Sequence, residues 1–469
     1  MSFTVAVIGG GLAGITAAIA LAESGADVTL LEGRPRLGGA TCSFSRDGLT
    51  VDTGQHVFLG CCSAYRGLLA RLGMTEHATL QDRFDVTVLA PGANGQPRQA
   101  RLRRTALPGP LHMLPALGRY PFLSVTERAS VARPALGMRF VDPADPAVDT
   151  QRFGDWLAKR GQGERTRRAL WDLFSVSALN IAGDDASLAL AAVVVKTGLL
   201  GKNNAADIGI PALPLGELHG DAGATLLAKL GAQVALSTKV SAIEHGAAEP
   251  GQDGGFRIRL AQGDPLTADG VVLAVPHEKA APLIPAGALP EQTVAGWAGL
   301  GASPIVNVHV IYDRPVMDLP FVAAIDSPVQ WVFDRTRISG LNHGGMDRPG
   351  HQYLAISLSA ADQYADTPVA QLQEQFVPAL AELFPAAREA RVTEFFVTRE
   401  RRATFRQAPG SGALRPKAAT GRPGLVLAGA WTDTGWPDTM EGAVRSGLAA
   451  ATELRRTVLT AASTIGERQ

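Results

Sequence analysis

The sequence predicts an α/β fold in which a Rossmann-like nucleotide-binding domain is interleaved with an α+β second domain. Three observations support this prediction. A glycine-rich turn joins a short apolar strand to a helix near the N-terminus, and a second strand after that helix ends on an acidic residue. Near the C-terminus another apolar strand leads through a glycine-containing loop into a helix. The chain is therefore expected to return to its first domain after building the second.

The first structural unit is a strand, turn, helix and strand. The apolar run from Val5 to Ile8 has the length and β-branched content of a buried parallel strand. The turn after it has G-x-G-x-x-G spacing and carries Gly9, Gly11 and Gly14. A helix over Leu12 to Ser24, a strand over Asp27 to Leu31 and the acid Glu32 follow. This order predicts that N–H groups at the helix N-terminus contact a pyrophosphate and that Glu32 accepts ribose hydroxyls, a simple tight turn being the alternative.

Composition describes an apolar but globular chain. It has 469 residues, 46% of them hydrophobic and 19% charged, and a formal net charge of zero, which predicts no nucleic-acid partner. The three cysteines form neither a disulfide framework nor a metal-binding spacing, as is typical of a reducing compartment. The chain begins directly with a strand, and its most apolar later run, Ala186 to Leu200, is shorter than a bilayer span, so we expect a cytoplasmic protein.

At this length we expect two domains. The nucleotide-binding domain is predicted to comprise residues 1–78, 215–285 and 415–469, and the second, substrate-binding domain residues 79–214 and 286–414.

A basic stretch is followed directly by an apolar one. The basic residues are Arg98, Arg101, Arg103 and Arg104, and the apolar segment Leu107 to Leu123 behind them is broken by prolines. Basic residues beside apolar ones are what peripheral contact with an anionic bilayer needs, so residues 98–123 are a candidate membrane surface. A solvated strand followed by core residues is the other interpretation.

Helical patterns dominate from Ser124 to about Leu200, and strands follow. Within the helical part, Trp171 and Phe174 either line a hydrophobic tunnel or belong to the core. A helix over Asp221 to Gly231 is followed by four predicted strands. They are Gln233–Leu236, a strand around Val240, Phe256–Leu260 and Gly270–Val275, and they indicate a β-meander inserted in the α/β sheet.

The strand Ser303 to Tyr312 has two chemically different faces. Asn307 and His309 share one face, and Val306, Val308 and Val310 share the other. The polar face either contacts a substrate or holds a hydrogen-bonded core histidine. Further strands over Gln330–Asp334 and Tyr353–Ser359 and a helix over Pro368–Leu383 complete the second domain.

The C-terminal stretch from Gly424 to Gly447 is the second strong feature. A buried strand, Leu425 to Ala428, ends in Gly429, and a helix begins near Met440. Its first turn carries Glu441, Gly442 and Ala443.

Both ends of the chain resemble the flavin amine oxidases and carotenoid desaturases. The N-terminal unit continues into an E-x-x-x-R-x-G-G-x-x-T extension made of Glu32, Arg36, Gly38, Gly39 and Thr41, with Ala40 in the usual place of an arginine. The C-terminal stretch resembles the desaturase motif G-D-x-T-x-x-G-x-P-x-x-x-E-G-A-x-x-S-G, but Ala430 replaces the acid that bonds the ribityl chain. The resemblance implies a FAD cofactor, and it implies non-covalent binding because no cysteine lies beyond Cys62.

The resemblance also implies which residues contact FAD. They are Gly9, Gly11, Leu12, Ala13, Gly14, Glu32, Arg36, Gly38, Gly39, Ala40, Thr41, Gly54, Gln55, His56, Val240, Gly429, Asp433, Met440, Glu441, Gly442 and Ala443. In relatives a D-x-G turn such as the one ending at Gly54 lies against the flavin, and the backbone at the position of Val240 contacts adenine. Asp433 is the candidate to replace the missing acid. The N-terminus of the last helix is expected to stabilise the electron-rich reduced flavin.

Within these families the chain is most similar to the squalene-associated FAD-dependent desaturases, the group of hydroxysqualene dehydroxylases in hopanoid biosynthesis. The segments that carry this resemblance are Asp52–Cys62, Leu179–Ile181, Asp207–Pro214, Arg402–Phe405 and Pro409-Gly410. It implies a reductive reaction in which an allylic C30 alcohol loses water and gains a hydride to give squalene. A carotenoid desaturase, an amine oxidase and a non-catalytic isoprenoid carrier are the alternatives.

This reaction needs an acid and an apolar pocket. We expect His56, and after it His309, to protonate the hydroxyl group, a hydrogen-bonded loop histidine being the other interpretation of His56. The candidate substrate contacts are Trp171, Phe174, Asn307, Trp331 and Phe405. No metal site is predicted, and the sequence indicates no particular electron donor.

Such a substrate predicts a membrane partner. Moving about thirty hydrocarbon carbons out of water at ~0.8 kcal/mol each amounts to roughly 24 kcal/mol, above the ~18 to 21 kcal/mol ceiling of non-covalent affinity. We therefore expect the lipophilic polyprenyl substrate to come from the bilayer. This predicts a protein bound peripherally to the inner face of the cytoplasmic membrane, with residues 98–123 as the candidate contact.

Overall fold

The computed structural model describes residues 3–245, 255–341 and 348–466. The predicted domain segments also contain residues 1–2, 246–254, 342–347 and 467–469, which lie outside the described residues.

The strands are β1 (Thr4–Ile8), β2 (Asp27–Leu31), β3 (Ser43–Arg46), β4 (Leu49–Asp52), β5 (Phe58–Leu59), β6 (Ala78–Leu80), β7 (Asp85–Ala90), β8 (Arg98–Arg103), β9 (Ile208–Pro211), β10 (Gln233–Ala235), β11 (Val240–His245), β12 (Phe256–Leu260), β13 (Leu266–Ala268), β14 (Gly270–Leu273), β15 (Ser303–Tyr312), β16 (Phe321–Ala324), β17 (Trp331–Asp334), β18 (Gln352–Leu358), β19 (Val392–Thr404) and β20 (Leu425–Leu427).

The α-helices are α1 (Leu12–Glu23), α2 (Ser63–Arg71), α3 (Leu114–Gly118), α4 (Val125–Ser130), α5 (Ala132–Met138), α6 (Pro146–Asp149), α7 (Phe153–Ala158), α8 (Glu164–Thr166), α9 (Asp172–Leu179), α10 (Leu188–Val194), α11 (Ala222–Lys229), α12 (His277–Ala280), α13 (Glu291–Gly296), α14 (Val369–Leu383) and α15 (Met440–Gly466). Wider π-type turns occur at Arg167–Trp171, Val195–Leu199 and Gly216–Asp221.

The nucleotide-binding part is a five-stranded parallel sheet in the order β10-β2-β1-β14-β20. Its strands come from the three separated segments predicted for this domain. Helices α1 and α15 pack together beside it, and Gly447 permits the contact because a Cβ there would lie 2.3 Å from the carbonyl oxygen of Ala13. The predicted opening unit is confirmed, with α1 ending at Glu23.

The second part is a seven-stranded mixed sheet in the order β19-β15-β18-β17-β16-β7-β8. All its pairs are antiparallel except β16 with β7. The predicted alternation in β15 is confirmed: Val306, Val308 and Val310 pack with α14 in one apolar cluster, whereas His309 faces the opposite side. The two sheets thus present different surfaces to the space between them.

Smaller units connect these sheets. Strands β11, β12 and β13 form the expected meander between β10 and β14, and β5, β9 and β6 form a three-stranded sheet. The region from Ser124 to Leu200 is helical as predicted, but its helices are interrupted. One wide turn contains three consecutive buried residues, Ala169, Leu170 and Trp171, which a regular surface helix cannot bury together.

Among the described residues, no helix is both long and apolar enough to cross a bilayer.

Candidate functional site

The glycine-rich turn after β1 forms a cradle with no room for side chains. A Cβ at Gly14 would lie 1.8 Å from the Gly9 carbonyl oxygen, and one at Gly39 would lie 2.8 Å from the Cα of Gly11. The Gly38 N–H donates to the Gly10 carbonyl oxygen at 2.8 Å, so the second glycine pair lies against the first. Backbone N–H groups can therefore approach a phosphate at the N-terminus of α1 without obstruction.

Glu32 lies beside this cradle at the end of β2. Its carboxylate accepts the N–H of Gly10 at 2.6 Å and that of Arg34 at 2.8 Å. The carboxylate oxygens retain further lone pairs, as the predicted contact with ribose hydroxyls requires. Thr238 donates its N–H to the Glu32 carbonyl oxygen at 2.8 Å, which places the start of β11 at Val240 close to this end of the site.

The polar turn after β4 carries buried polar atoms without partners. Thr53 anchors the turn, because its hydroxyl donates to the carbonyl oxygens of Ala40 at 2.6 Å and Cys42 at 2.9 Å. Asn307 reaches the turn from β15 and donates its Nδ2–H to the Thr53 carbonyl oxygen at 3.3 Å. Gln55 Oε1, His56 Nδ1 and Asn307 Oδ1 are buried and make no hydrogen bond within the described parts of the chain.

Unpaired buried polar atoms are costly, so their concentration in one place indicates a ligand. Residues from the two parts of the fold meet here, beside the extension that ends at Thr41. The glycine cradle and Glu32 fit an elongated dinucleotide such as FAD, and the unpaired atoms leave hydrogen-bonding groups for a ligand beside it. The group formed by Gln55, His56 and Asn307 is called the polar trio below.

Asp52 and Arg335 form a buried ion pair directly before the polar turn. The Asp52 carboxylate also accepts the Ser43 hydroxyl at 2.6 Å and the Leu215 N–H at 3.0 Å. It thereby joins β3, β4 and the chain at Leu215 to an arginine of the substrate-binding part. Sequence reasoning missed this pair, since no pattern connects two single charged residues so far apart in the chain.

Burial keeps the histidines around the turn neutral. It lowers the pKa of His56, against the opposing effects of the Gly54 backbone and the Asp52 carboxylate. It also lowers the pKa of His219 to about 3, and the Nε2 atom of that histidine lies 2.8 Å from the Tyr65 hydroxyl. His56 lies in the predicted place, but at neutral pH its ring does not carry the extra proton that an acid needs.

His309 has the environment of a structural histidine. Its ring is fully buried and stacks on Phe396 with centroids 4.5 Å apart. Nδ1 lies 2.7 Å from the Tyr353 hydroxyl and Nε2 lies 3.0 Å from the Thr398 hydroxyl. Burial lowers its pKa to about 3. With both nitrogens engaged, the contacts favour the core interpretation over the catalytic role predicted from sequence.

The C-terminal motif contributes a helix end. Helix α15 begins with Met440 and Glu441. The first N–H of the helix that bonds to the preceding turn is that of Gly442, which donates to the Thr439 hydroxyl at 3.2 Å. The Ala443 N–H donates to the Thr439 carbonyl oxygen at 2.9 Å. The helix therefore presents unused N–H groups and the positive end of its dipole, which suit an electron-rich ligand.

The two acids predicted for the cofactor here have other partners. The buried Glu441 carboxylate accepts the N–H groups of Ala64 at 3.1 Å and Tyr65 at 2.7 Å, so it caps α2. Asp433 pairs with Lys417 and accepts the Gly435 N–H at 3.1 Å. These contacts account for both carboxylates without a cofactor, so neither one visibly replaces the acid missing at Ala430.

Asp438 is a carboxylic acid that sequence reasoning did not select. It lies two residues before α15 and is half-buried, with Oδ2 accepting the Phe405 N–H at 2.9 Å. Its own N–H donates to Gln407 Oε1 at 3.1 Å. Burial raises its pKa to about 6, with Glu278 adding to the rise, while the Phe405 N–H and Arg415 oppose it. Near neutral pH this group exchanges a proton readily.

The candidate substrate contacts fall into two groups. Trp331 and Phe174 are partly buried and border the apolar core, and the indole N–H of Trp331 donates to the Ser177 hydroxyl at 2.7 Å. Trp331 and Asn307 are both paired with Ser357 across neighbouring strands, so they lie on the same face of the sheet. This row joins the polar trio to the partly buried aromatic surface of Trp331 and Phe174, which is called the aromatic groove below.

The other two aromatic residues belong to the core. Trp171 is buried and donates its indole N–H to Gln162 Oε1 at 3.0 Å. Phe405 is buried under the Arg415 guanidinium, 5.1 Å from the ring centroid. No group of three or more potential metal ligands occurs in residues 3–245, 255–341 or 348–466.

Comparisons with known proteins agree with this geometry. The profile of the family described as flavin containing amine oxidoreductase matches residues 12–455. Hydroxysqualene dehydroxylase of Rhodopseudomonas palustris is 30% identical over 462 residues, covering 96% of this chain and 98% of that protein. The enzyme of the same name from Sinorhizobium fredii is 28% identical, with the same coverage.

More distant similarities extend over most of the chain. A 15-cis-phytoene desaturase of Narcissus pseudonarcissus is 24% identical, covering 94% of this chain and 76% of that protein. The solved structure of a putrescine oxidase with bound putrescine has the same fold, with a TM-score of 0.71 and 18% identity over 97% of this chain and 99% of that one.

Proposed function

Because the chain belongs to the family of flavin-containing amine oxidoreductases and is a FAD-dependent oxidoreductase, we propose that it converts hydroxysqualene reductively to squalene, a reaction that supplies hopanoid biosynthesis. The observation that carries the proposal is the polar trio at the end of an aromatic groove. A long hydrocarbon with a single hydroxyl group matches this arrangement, since the hydroxyl finds acceptors and the chain finds an apolar wall. The similarity to two hydroxysqualene dehydroxylases along nearly the whole chain supports it.

FAD is held non-covalently in this proposal. The glycine cradle would receive the pyrophosphate, Glu32 would accept ribose hydroxyls, and the N-terminus of α15 would stabilise the reduced flavin. When bound and reduced, the cofactor supplies the hydride. The three cysteines all lie within the first 62 residues, far in sequence from the C-terminal motif.

The protein's own residues orient the substrate and provide a proton. Neutral His56 and Asn307 hold the hydroxyl group by hydrogen bonds, and the groove around Trp331 and Phe174 excludes water from the hydrocarbon. Asp438 is the proton donor in this scheme, because it is the half-buried acid beside the helix end and His56 is neutral. The proton goes to the leaving oxygen, the C–O bond breaks, water departs, and the carbon gains the hydride.

Anaerobic mixing of the reduced protein with hydroxysqualene tests the proposal. We expect reoxidation of the flavin at 450 nm with formation of one squalene per flavin. Reduction of the oxidised protein by phytoene would instead indicate a desaturase, and reduction by an amine would indicate an amine oxidase. Binding of polyprenes with no change in the flavin spectrum would indicate a carrier.

A further inference from the structure

A group of large apolar side chains projects into solvent from a single stretch of the chain. They are Leu107, Leu111, Leu114, Val125, Leu136 and Phe140, and together they are called the apolar patch. Phe140 is 90% exposed, Val125 73% and Leu136 56%. Single exposed apolar residues are ordinary, but six within 34 residues indicate an interaction surface.

The apolar patch lies on a well-packed support. Helices α3, α4 and α5 carry Leu114, Val125 and Leu136. Helix α4 begins with a capping box in which the Glu127 N–H donates to the Ser124 hydroxyl at 3.3 Å and the Ser124 N–H donates to Glu127 Oε2 at 2.8 Å. Beneath them, the buried Tyr120 donates its hydroxyl to the Ala169 carbonyl oxygen at 2.6 Å. The exposed side chains are therefore held outward by a built scaffold.

Positive charge surrounds the apolar patch. From Thr105 to Val141 the chain has four arginines and one glutamate, a net charge of 4 − 1 = +3. Arg119, Arg133 and Arg139 are exposed and have no carboxylate within 4.0 Å in the described ranges. Lys196 adds a further positive charge, since its ammonium donates to the Val141 carbonyl oxygen at 2.8 Å.

The basic strand predicted as the membrane contact has a different environment. Arg101 and Arg103 of β8 both pair with Asp85, at 2.6 and 3.2 Å, and Arg104 pairs with Asp207 at 2.6 Å. Two carboxylates thus face the four arginines of residues 98–104, so half of the positive charge there is neutralised. Further along the chain, around α3 to α5, Arg119, Arg133 and Arg139 have no carboxylate partner among the described residues.

We propose that the apolar patch inserts into the headgroup region of an anionic lipid bilayer, with Leu136 and Phe140 as the main anchors. Leu136 lies in the last turn of α5 and Phe140 lies two residues beyond its end, and both side chains are exposed. Apolar residues ringed by unpaired arginines match a surface that is apolar inside and negatively charged outside. A second copy of the chain would bring the same arginines together and is disfavoured by charge.

This location also suits the proposed function. Only the source of the substrate depends on that function, and the membrane contact itself does not. Tyr120 connects the helices of the patch to Ala169, just before α9, and α9 carries Phe174 and Ser177 of the aromatic groove.

Vesicle flotation of the intact flavoprotein tests the proposal without any turnover. Vesicles of phosphatidylcholine alone and with 30% phosphatidylglycerol are compared. We expect the parent to float with anionic vesicles, and Leu136→Ser with Phe140→Ser to weaken partitioning at least about tenfold. Arg133→Gln with Arg139→Gln should weaken it chiefly on anionic vesicles.

The matched control is Leu319→Ser with Val369→Ser, since these side chains are 39% and 40% exposed elsewhere on the protein. It should float like the parent. The proposal is overturned if the Leu136/Phe140 variant keeps the melting temperature of the parent and floats as well as the parent. It is also overturned if the parent does not float with vesicles and sedimentation shows a dimer for the parent but a monomer for the variant. If the protein floats with vesicles but is inactive on hydroxysqualene, the proposed function is rejected and the proposed membrane contact stands.

Discussion

Replacing Asp438 by asparagine tests the chemistry assigned to the end of α15. Asparagine keeps the size of the side chain and can still accept the Phe405 N–H through its Oδ1, but it cannot give up a proton. If the acid step depends on Asp438, single turnover by the pre-reduced variant should be slower by ~10²- to 10⁴-fold, the usual contribution of a general acid.

The pH dependence gives the sharper result. With a pKa of about 6, Asp438 is protonated to roughly 90% at pH 5 and to about 1% at pH 8. The parent rate should therefore fall about ninety-fold across this range, and the rate of Asp438→Asn should be flat. Burial raises this pKa, the Phe405 N–H and the Arg415 guanidinium lower it, and the Glu278 carboxylate adds to the rise.

Asp172 provides a matched control. Burial and the neighbouring Asp184 raise its pKa to about 6 as well, but it lies at the start of α9 beside Arg167 rather than at the end of α15. Asp172→Asn should keep the pH profile of the parent. A profile that persists in Asp438→Asn, or that disappears in Asp172→Asn, would refute the assignment.

Stability supplies an independent readout. The folded pKa of Asp438 is higher than the ordinary value of 3.8 for an aspartate, so the folded state holds the proton more tightly and its free energy of unfolding falls as pH rises from about 4 to 6. The loss is complete above pH 6 and amounts to at most ~3 kcal/mol, reduced by the partial exposure of the group. Asp438→Asn should therefore melt higher than the parent at pH 8 and no higher at pH 4.

Three further substitutions probe the rest of the site. Glu32→Gln should weaken FAD binding by ~10- to 100-fold, measured by flavin fluorescence on dilution, because a charged acceptor is lost; unchanged retention would remove Glu32 from the site. Asp52→Asn should lower the free energy of unfolding by ~3 to 5 kcal/mol in urea, because it leaves Arg335 buried without its partner; a variant as stable as the parent would contradict the ion pair. His56→Gln should slow single turnover but keep the pH profile, and unchanged squalene formation would exclude His56 from the mechanism.

Local patterns made much of the fold predictable. The strand, glycine turn and helix at the N-terminus depend on neighbouring residues, and so does the alternation of Asn307 and His309 with valines in β15. Which strand lies beside which cannot be read in this way. The unpaired atoms of the polar trio arise only when β15 reaches the turn at Thr53, more than 250 positions away.

Charges were the least predictable feature, because the effect of a charge depends on its partners. The arginines of β8 suggest a membrane surface until Asp85 and Asp207 are seen beside them. Glu441 belongs to a cofactor motif, yet its carboxylate caps α2. Asp438 has no distinguishing neighbours in sequence, and burial in the folded chain, with a smaller effect of Glu278, raises its pKa.

The arrangement of these parts answers a problem that any enzyme with a hydrocarbon substrate and a charged cofactor must solve. FAD requires a polar cradle, and this lies at the carboxyl ends of the parallel strands, where ligands of such sheets bind. A hydrocarbon requires a dry wall, and this is the aromatic face of the mixed sheet around Trp331. Asn307 belongs to that face but reaches the polar turn, so the two requirements meet at a single residue of β15. The hydroxyl group is the one part of the substrate that can be recognised there, which is why the polar trio, rather than the groove, is expected to decide where the substrate reacts.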